Sequence, residues 1–233
     1  MNNFQKRFVV FDLETTNNPA KKYKHEIIEI AGIEIVGNNI SRNNVFHSLV
    51  KPFCKIQTHG HKPTRISDYM LKDAPVINQV LPKFIEFIKD DPLVAHNAIF
   101  DMRILNEQMA ISGYNAVSNI FFDTLVLSRK LYKTEKSHKL KTIIKRLNIE
   151  QPHKERHRAL TDAEYTAMIF LNSHLFFLRR HLNSKLRPLI FAFALHFNRA
   201  IVLLNDFFND VKPQPSAAYV NLARVRSAFK LFK

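Results

Sequence analysis

The sequence predicts an α/β fold: a mixed five-stranded sheet with helices on both faces, followed by a basic helical extension. Three strand-like runs separated by short turns come first, a pattern that predicts an antiparallel meander. The chain then alternates short apolar runs with amphipathic stretches, which is typical of strand–helix units. Its 233 residues, of which 46% are hydrophobic and 24% are charged, suffice for one such domain plus an extension.

The meander is predicted from β-branched and aromatic residues. The first strand lies within residues 7–16, and the next two cover residues 26–36 and 40–50. Between the second and third strands, Gly37-Asn38-Asn39 has the residue types of a hairpin turn. These three strands are therefore expected to pair in sequence order.

The later elements are predicted from helix caps and apolar periodicity. Ser67 and Asn97 are expected to cap two helices, because their short polar side chains accept hydrogen bonds from backbone N–H groups. Asp123 or Thr124 is expected to open a further helix. In order, the sequence predicts a helix at 66–75, a helix at about 76–88, a strand at 93–96, a helix at about 98–111, a strand at 120–122 with a helix after it, and helices at 140–147 and 160 to about 175.

Two acids lie in the first predicted strand. Asp12 and Glu14 are two positions apart, and side chains at that spacing project from the same face of a strand. Two like charges in one pocket repel each other by several kcal/mol unless protons or cations intervene. The spacing therefore indicates a site for a divalent cation.

Three more polar residues, later in the chain, complete the candidate set. Asp101 opens a helix and is followed at helical spacing by Leu105 and Met109, so it heads an inward-facing stripe. His157 is expected on a loop, and Asp162 is expected just inside the last core helix. Each residue alone is ordinary, because acids commonly occupy the first turn of a helix. Together with the strand acids, they would require several unrelated coincidences.

These residues lie in three motifs that resemble those of the DEDDh, or DnaQ-like, 3′–5′ exonucleases. The motifs are FDLETT at residues 11–16, HNAIFD at residues 96–101 and HRALTDA at residues 157–163. Within the family, the proofreading epsilon subunits of bacterial DNA polymerase III look most similar. The resemblance extends to residues 27–31, 70–75 and 122–124 and covers approximately residues 6–175.

The resemblance implies a ribonuclease-H-like fold with two bound Mg²⁺ or Mn²⁺ ions, and His157 as the general base. An all-oxygen ligand set suits these hard cations better than zinc, and histidine titrates near neutral pH. The implied metal ligands, which are catalytic together with His157, are Asp12, Glu14, Asp101 and Asp162. The implied contacts to the terminal nucleotide are Leu13, Glu14, Thr15, Asn97 and His157; for Leu13 and Asn97, a core position and a helix cap remain equally open.

The charge of the chain predicts a polyanionic partner. Its net charge is +15, and residues 176–233 contribute +8 of this with 10 Lys and Arg against 2 Asp and Glu. We expect an exonuclease domain at 1–178 and a basic helical extension at 179–233. Three interpretations of the extension remain open: it packs on the domain, it contacts a membrane or nucleic acid, or it docks onto a DNA polymerase catalytic subunit, as the resemblance to epsilon subunits implies. Packing and docking are favoured over contact with a membrane.

The sequence also bears on the compartment. Cys54 is the only cysteine, so an internal disulfide is excluded. No signal peptide is evident, and no apolar run is long enough for a membrane span. We therefore expect a cytoplasmic protein.

The leading functional prediction is a metal-dependent 3′–5′ exonuclease that releases nucleoside 5′-monophosphates from single-stranded DNA 3′ ends and proofreads DNA replication. The closest alternative is a 3′–5′ exoribonuclease that trims RNA or oligoribonucleotides, since the treatment of a 2′-hydroxyl cannot be read from these motifs. A non-catalytic nucleic-acid-binding module that associates with a polymerase is a third possibility, which the complete set of acids disfavours.

Overall fold

The computed structural model describes residues 7–16, 25–54, 66–149 and 158–182, with the side chains of the last helix as far as residue 173. Within these residues the strands are β1 (Arg7–Thr15), β2 (Ile27–Val36), β3 (Asn39–Leu49), β4 (Leu93–Ala95) and β5 (Phe121–Asp123). The helices are α1 (Asp68–Leu71), α2 (Ile77–Ile88), α3 (Ala98–Ile111), α4 (Thr124–Leu131), α5 (Leu140–Arg146) and α6 (Ala159–Leu182).

The five strands form one mixed sheet in the order β3-β2-β1-β4-β5. β1 pairs antiparallel with β2, and β2 pairs antiparallel with β3, which confirms the predicted meander. β4 runs parallel to β1 and β5 runs parallel to β4. The carboxyl ends of β1, β4 and β5 therefore meet at one edge of the sheet.

Helices pack on both faces of this sheet, as predicted. On one face the ring centroids of Phe8 and Phe170 of α6 lie 5.4 Å apart. On the other face Phe11 lies 6.0 Å from Phe84 of α2. Because successive strand residues alternate between the faces, Asp12 and Glu14 project on the α6 side with Phe8.

Two helices differ in length from their predictions. α1 is a single turn, since the residue before Pro75 disfavours helical backbone angles. Ser67 caps it as predicted, accepting a hydrogen bond from the Met70 N–H at 3.4 Å. α6 instead continues seven residues beyond the expected 175, because no glycine or proline interrupts residues 159–182.

A partly buried ion-pair cluster lies at the opposite end of the sheet from the carboxyl ends of β1, β4 and β5. The Arg7 guanidinium donates to the carboxylates of Glu34 and Asp91 and to the Phe87 carbonyl oxygen at 2.8 Å. It also lies 5.1 Å from the centroid of the Phe87 ring. Every charge in this cluster has a partner of opposite sign.

The chain divides into two compact units, Met1–His181 and Leu182–Lys233. The predicted boundary at 178/179 falls within α6, and the predicted extension lies almost entirely outside the described residues. Among the described residues, no helix combines the length and hydropathy that crossing a lipid bilayer requires.

Candidate active site

The predicted acids lie at the edge where the carboxyl ends of the parallel strands meet. Asp12 and Glu14 lie near the end of β1, Asp101 in the first turn of α3, and Asp162 in the first turn of α6. His157, which was expected on a loop, lies outside the described residues. Residues from three separate parts of the chain therefore reach the same edge of the sheet.

Asp12, Glu14 and Asp162 form a three-carboxylate cluster. Each offers one carboxylate oxygen, and these atoms all lie within 4.8 Å of one another. Asp101 is outside this group but close enough for its charge to act on Asp12. Ligands that are all oxygen match the preference of hard divalent cations such as Mg²⁺ and Mn²⁺.

The electrostatics of Asp12 show that the acids of the cluster repel one another. Burial raises the pKa of Asp12 well above its ordinary value, and the charges of Asp101, Asp162, Glu14 and Glu29 raise the pKa further. Within the described part of the chain, no lysine or arginine forms an ion pair with Asp12. A divalent cation would relieve this repulsion.

Asp101 is similarly perturbed. Its side chain is 4% exposed, and burial raises its pKa to about 8, helped by the charges of Asp123 and Glu14. Hydrogen bonds from its own backbone N–H and from the Leu13 N–H act against this rise. The Leu13 contact ties the first turn of α3 directly to β1, which brings Asp101 beside the strand acids.

The start of α3 is held by Asp123, whose contribution the sequence analysis missed. The prediction that the Asn97 side chain caps α3 is wrong: Asn97 is at the N-cap position but its side chain makes no capping hydrogen bond. Instead its backbone, in the left-handed region at φ 68°, donates an N–H to Asp123 Oδ1 at 3.0 Å. The same oxygen caps α4 through the Leu125 N–H at 2.8 Å, as the opening of that helix was predicted to require.

A fifth carboxylate, Glu29, was also missed. It lies opposite Glu14 in the register of β1 and β2 and is fully buried. Burial raises the pKa of Glu29, but hydrogen bonds from His47, Arg158 and the Ala159 backbone outweigh this effect and lower the pKa to about 2. The available signal was an acid inside the apolar run at residues 27–31, at a position facing the same side as the strand acids.

The residues expected to contact the nucleotide differ in their exposure to solvent. Leu13 is 7% exposed and belongs to the apolar cluster beneath α2 and α3, so its side chain is part of the core. Thr15 is half-buried at the end of β1, and Asn97 is exposed beside the site. Among the expected contacts that the structure describes, Glu14, Thr15 and Asn97 present side-chain surface to a ligand, whereas the Leu13 side chain is buried.

The sequence of this chain is similar to those of known nucleases. The profile of the family described as Exonuclease matches residues 9–170. A PolC-type DNA polymerase III of Caldanaerobacter subterraneus subsp. tengcongensis is 42% identical over 164 residues, which are 70% of this chain and 11% of that protein. The DNA polymerase III subunit epsilon of Buchnera aphidicola subsp. Baizongia pistaciae is 34% identical over 171 residues, which are 70% of this chain and 69% of that protein.

The fold also resembles that of a solved nuclease structure. The nuclease domain of 3′hExo, described as a DEDDh family member and bound to rAMP, superposes with a TM-score of 0.63 at 19% identity. The match covers 74% of this chain and 93% of that domain. The likeness shows a shared fold and confirms the predicted ribonuclease-H-like architecture. The chain spans only about a tenth of the length of the PolC-type relatives that it matches.

Proposed function

We propose that this chain, which belongs to the family of DEDDh (DnaQ-like) 3′–5′ exonucleases, removes nucleoside 5′-monophosphates one at a time from single-stranded DNA 3′ ends. The observation that carries the proposal is the three-carboxylate cluster of Asp12, Glu14 and Asp162 with Asp101 beside it. Such a concentration of half-buried carboxylates destabilises the fold through mutual repulsion, which a bound cation would relieve. A role in metal-dependent catalysis would explain why the protein tolerates this loss of stability.

Two Mg²⁺ or Mn²⁺ ions are proposed as the cofactors. Asp12, Glu14, Asp101 and Asp162 would hold them, because these residues supply only oxygen ligands at one edge of the sheet. When bound, a pair of divalent cations polarises a phosphodiester and lowers the pKa of an attacking water. Because the four carboxylates repel one another, they can all be deprotonated together only when such positive charge is present.

His157 is proposed to accept the proton of the attacking water. Histidine titrates near neutral pH and is therefore suited to this role. Support comes from its neighbours in the chain, because Arg158 contacts Glu29 and α6 starts at Ala159. The side chains of Thr15 and Asn97 and the backbone at Leu13 and Glu14 are proposed to contact the terminal nucleotide.

DNA is favoured as the substrate because the relatives with the higher identities are named as DNA polymerase III proteins. We infer a proofreading role in DNA replication. The basic residues 179–233 are proposed to bind a polymerase catalytic subunit, and a cytoplasmic location follows from a role at a bacterial chromosome.

An exoribonuclease is the second candidate. The observation that favours it is the DEDDh nuclease of similar fold, whose structure contains rAMP. A DNA exonuclease and an exoribonuclease would differ in how the residues around Thr15 and Asn97 accommodate a 2′-hydroxyl.

A degradation assay with matched oligonucleotides tests the proposal. Incubating a 5′-labelled DNA or RNA single strand with the full chain and Mg²⁺ should give a ladder of shortened DNA products. Asp12→Asn and Asp101→Asn should each reduce the rate by about a thousandfold, equivalent to several kcal/mol of transition-state stabilisation. Glu34→Gln, which changes a buried acid far from the site, is the matched control. A ladder that persists in Asp12→Asn contradicts the metal assignment, and preferential shortening of RNA selects the second candidate.

The base assignment needs its own variant. His157→Ala should lower the rate on the order of a hundredfold or more, because a positioned base contributes that much. It should still bind Mn²⁺ as the wild type does, and the neutral-pH limb of its rate profile should disappear. An unchanged pH profile would assign proton transfer to another group.

A further inference from the structure

We propose that Glu29 is a positioning residue: its carboxylate fixes the start of α6 and thereby holds Asp162 in place to bind metal. This inference rests on the proposed function, since it assigns a purpose to a residue beside the same site. Three features of Glu29 suit it to this role: its register, its ion pair with Arg158, and its contact with the first residue of α6.

Glu29 lies beside the cluster but is not one of its members. It is paired with Glu14 across β1 and β2, and residues directly opposite in an antiparallel pair project from the same face. Its charge acts on Asp12, so the distance to the cluster is small. Among the described residues, however, the group that could share one ion contains Asp12, Glu14 and Asp162 only.

Arg158 and His47 account for this separation. Arg158 Nη2 lies 2.7 Å from Glu29 Oε1, and Arg158 Nε lies 2.9 Å from Oε1 and 3.2 Å from Oε2. His47 Nε2 lies 2.7 Å from the same Oε1. A carboxylate held in this way by a guanidinium has its charge compensated without a metal ion. Glu29 therefore serves a different purpose from the acid directly opposite it.

The second oxygen of Glu29 holds the helix. Oε2 accepts the N–H of Ala159, the first residue of α6, at 2.9 Å. The residue before α6 is Arg158, whose side chain has no oxygen that could cap the helix. Glu29 supplies the missing acceptor from the neighbouring sheet and places negative charge at the positive end of the helix dipole. The first i to i+4 hydrogen bond of α6 then runs from the Asp162 N–H to the Arg158 carbonyl, at 3.0 Å.

One side chain thus connects the sheet to two functional parts of the chain. Asp162 lies one turn inside the helix that Glu29 caps, and His157 precedes the arginine that Glu29 binds. Mg²⁺ requires near-ideal octahedral geometry, so a small displacement of Asp162 weakens binding. Loss of the Glu29 charge would also leave Arg158 without this partner, beside carboxylates that attract it. Both effects lower the metal affinity.

The chain offers a matched control on the same strand. Glu34 is also buried in β2 and is also bound by an arginine, Arg7. It lies at the opposite end of the sheet from the site. Glu29→Gln and Glu34→Gln therefore remove the same charge from similar surroundings, and only the first disturbs α6.

Mn²⁺ binding to the full chain, measured by electron paramagnetic resonance, tests the inference without requiring hydrolysis. Glu29→Gln should raise the dissociation constant by about 10- to 100-fold, the range found when partners of metal ligands are lost. Glu34→Gln should stay within about twofold of the wild type, although both variants lose thermal stability. Equal Mn²⁺ affinities in the two variants would overturn the inference and leave Glu29 as a structural ion pair.

A second variant covers the case in which Glu29→Gln fails to fold. Arg158→Lys keeps the charge but loses the double contact, and should raise the Mn²⁺ dissociation constant by a few-fold while the chain remains folded. An unchanged affinity in that variant would also overturn the inference. The proposed function fails separately, if the wild type binds Mn²⁺ but degrades neither DNA nor RNA.

Discussion

The two ends of the sheet treat buried carboxylates in opposite ways. At one end Glu34 and Asp91 share the guanidinium of Arg7, so their charges are compensated within the fold. At the other end Asp12 and Asp101 have no such arginine or lysine among the described residues, and their pKa values are raised. The first arrangement stabilises the protein, whereas the second leaves a repulsion that the proposed metal ions would relieve.

Glu29 combines features of both ends. It lies beside the acids that are proposed to bind metal, yet its contacts with Arg158 and His47 match those of a structural ion pair. Burial by itself therefore does not distinguish the two kinds of acid. The presence of a compensating cation within the fold does.

The largest effect on stability is expected at the end of the sheet where Arg7 neutralises Glu34 and Asp91. Arg7→Met should lower the free energy of unfolding by about 2–4 kcal/mol, because it leaves two partly buried acids without their cation. Urea denaturation measures this change. Arg103→Met is the matched control, since Arg103 forms an exposed ion pair with Glu107 and its loss should cost less than about 1 kcal/mol. Equal losses in the two variants would remove the distinction between the Arg7 cluster and an ordinary surface pair.

Metal binding should stabilise the folded protein only through the end of the sheet that contains Asp12. Mn²⁺ at about 100 times its dissociation constant should raise the free energy of unfolding by about 2.7 kcal/mol, since it binds the folded state alone. Thermal denaturation with and without Mn²⁺ measures the gain. Glu34→Gln should keep the full gain and Asp12→Asn should lose most of it. A full gain in Asp12→Asn would place the metal elsewhere.

Removal of an uncompensated charge should stabilise the metal-free protein. In EDTA at pH 7, Asp12→Asn is expected to raise the free energy of unfolding by about 1 kcal/mol, because it relieves repulsion within the cluster. Glu34→Gln should have the opposite sign, since it breaks a compensated pair. Urea denaturation of both variants gives the comparison. If Asp12→Asn destabilises the protein, the cluster is compensated by some other group.

The pH dependence provides a further test, because one proton held only by the folded state gives a slope of about 1.4 kcal/mol per pH unit. The pKa of Asp101 is about 8 in the folded state and 3.8 ordinarily, so from pH 4 to 8 the unfolded chain releases a proton that the folded chain keeps. In EDTA the stability of the wild type should therefore fall as pH rises through this window. Asp101→Asn should flatten the decline, and an unaltered slope would contradict the raised pKa of Asp101.

Glu29 should act in the opposite direction and in a different window. Its folded-state pKa of about 2 lies below the ordinary 4.5. Its contribution to stability is therefore present above pH 4.5 and is lost as pH falls toward 2. Urea denaturation of Glu29→Gln between pH 3 and 6 should show a shallower acid decline than that of the wild type.

Local rules explain why so much of the site was predictable. Asp12 and Glu14 had to share a face because of the strand period. Asp101 and Asp162 were recognisable as acids in the first turns of two predicted helices. The sheet was predictable for a similar reason, since alternation of strand and helix restricts how the chain can connect.

Other features depended on partners far away in the sequence. Glu29 meets Arg158 across 129 positions, and Asp123 holds the Asn97 backbone across 26. Both contacts require a particular strand order and register, which neighbouring residues do not encode. The predicted Asn97 cap failed for this reason, because a more distant carboxylate satisfied the backbone instead.

The amino-acid sequence by itself determined the order of the elements, the acids that would converge, and the need for positive charge among them. These follow from side-chain periodicity and from the cost of crowding like charges. Only the tertiary structure decided which buried acids are neutralised internally and which remain for a cation, because that choice depends on whether a guanidinium from a distant segment reaches each carboxylate.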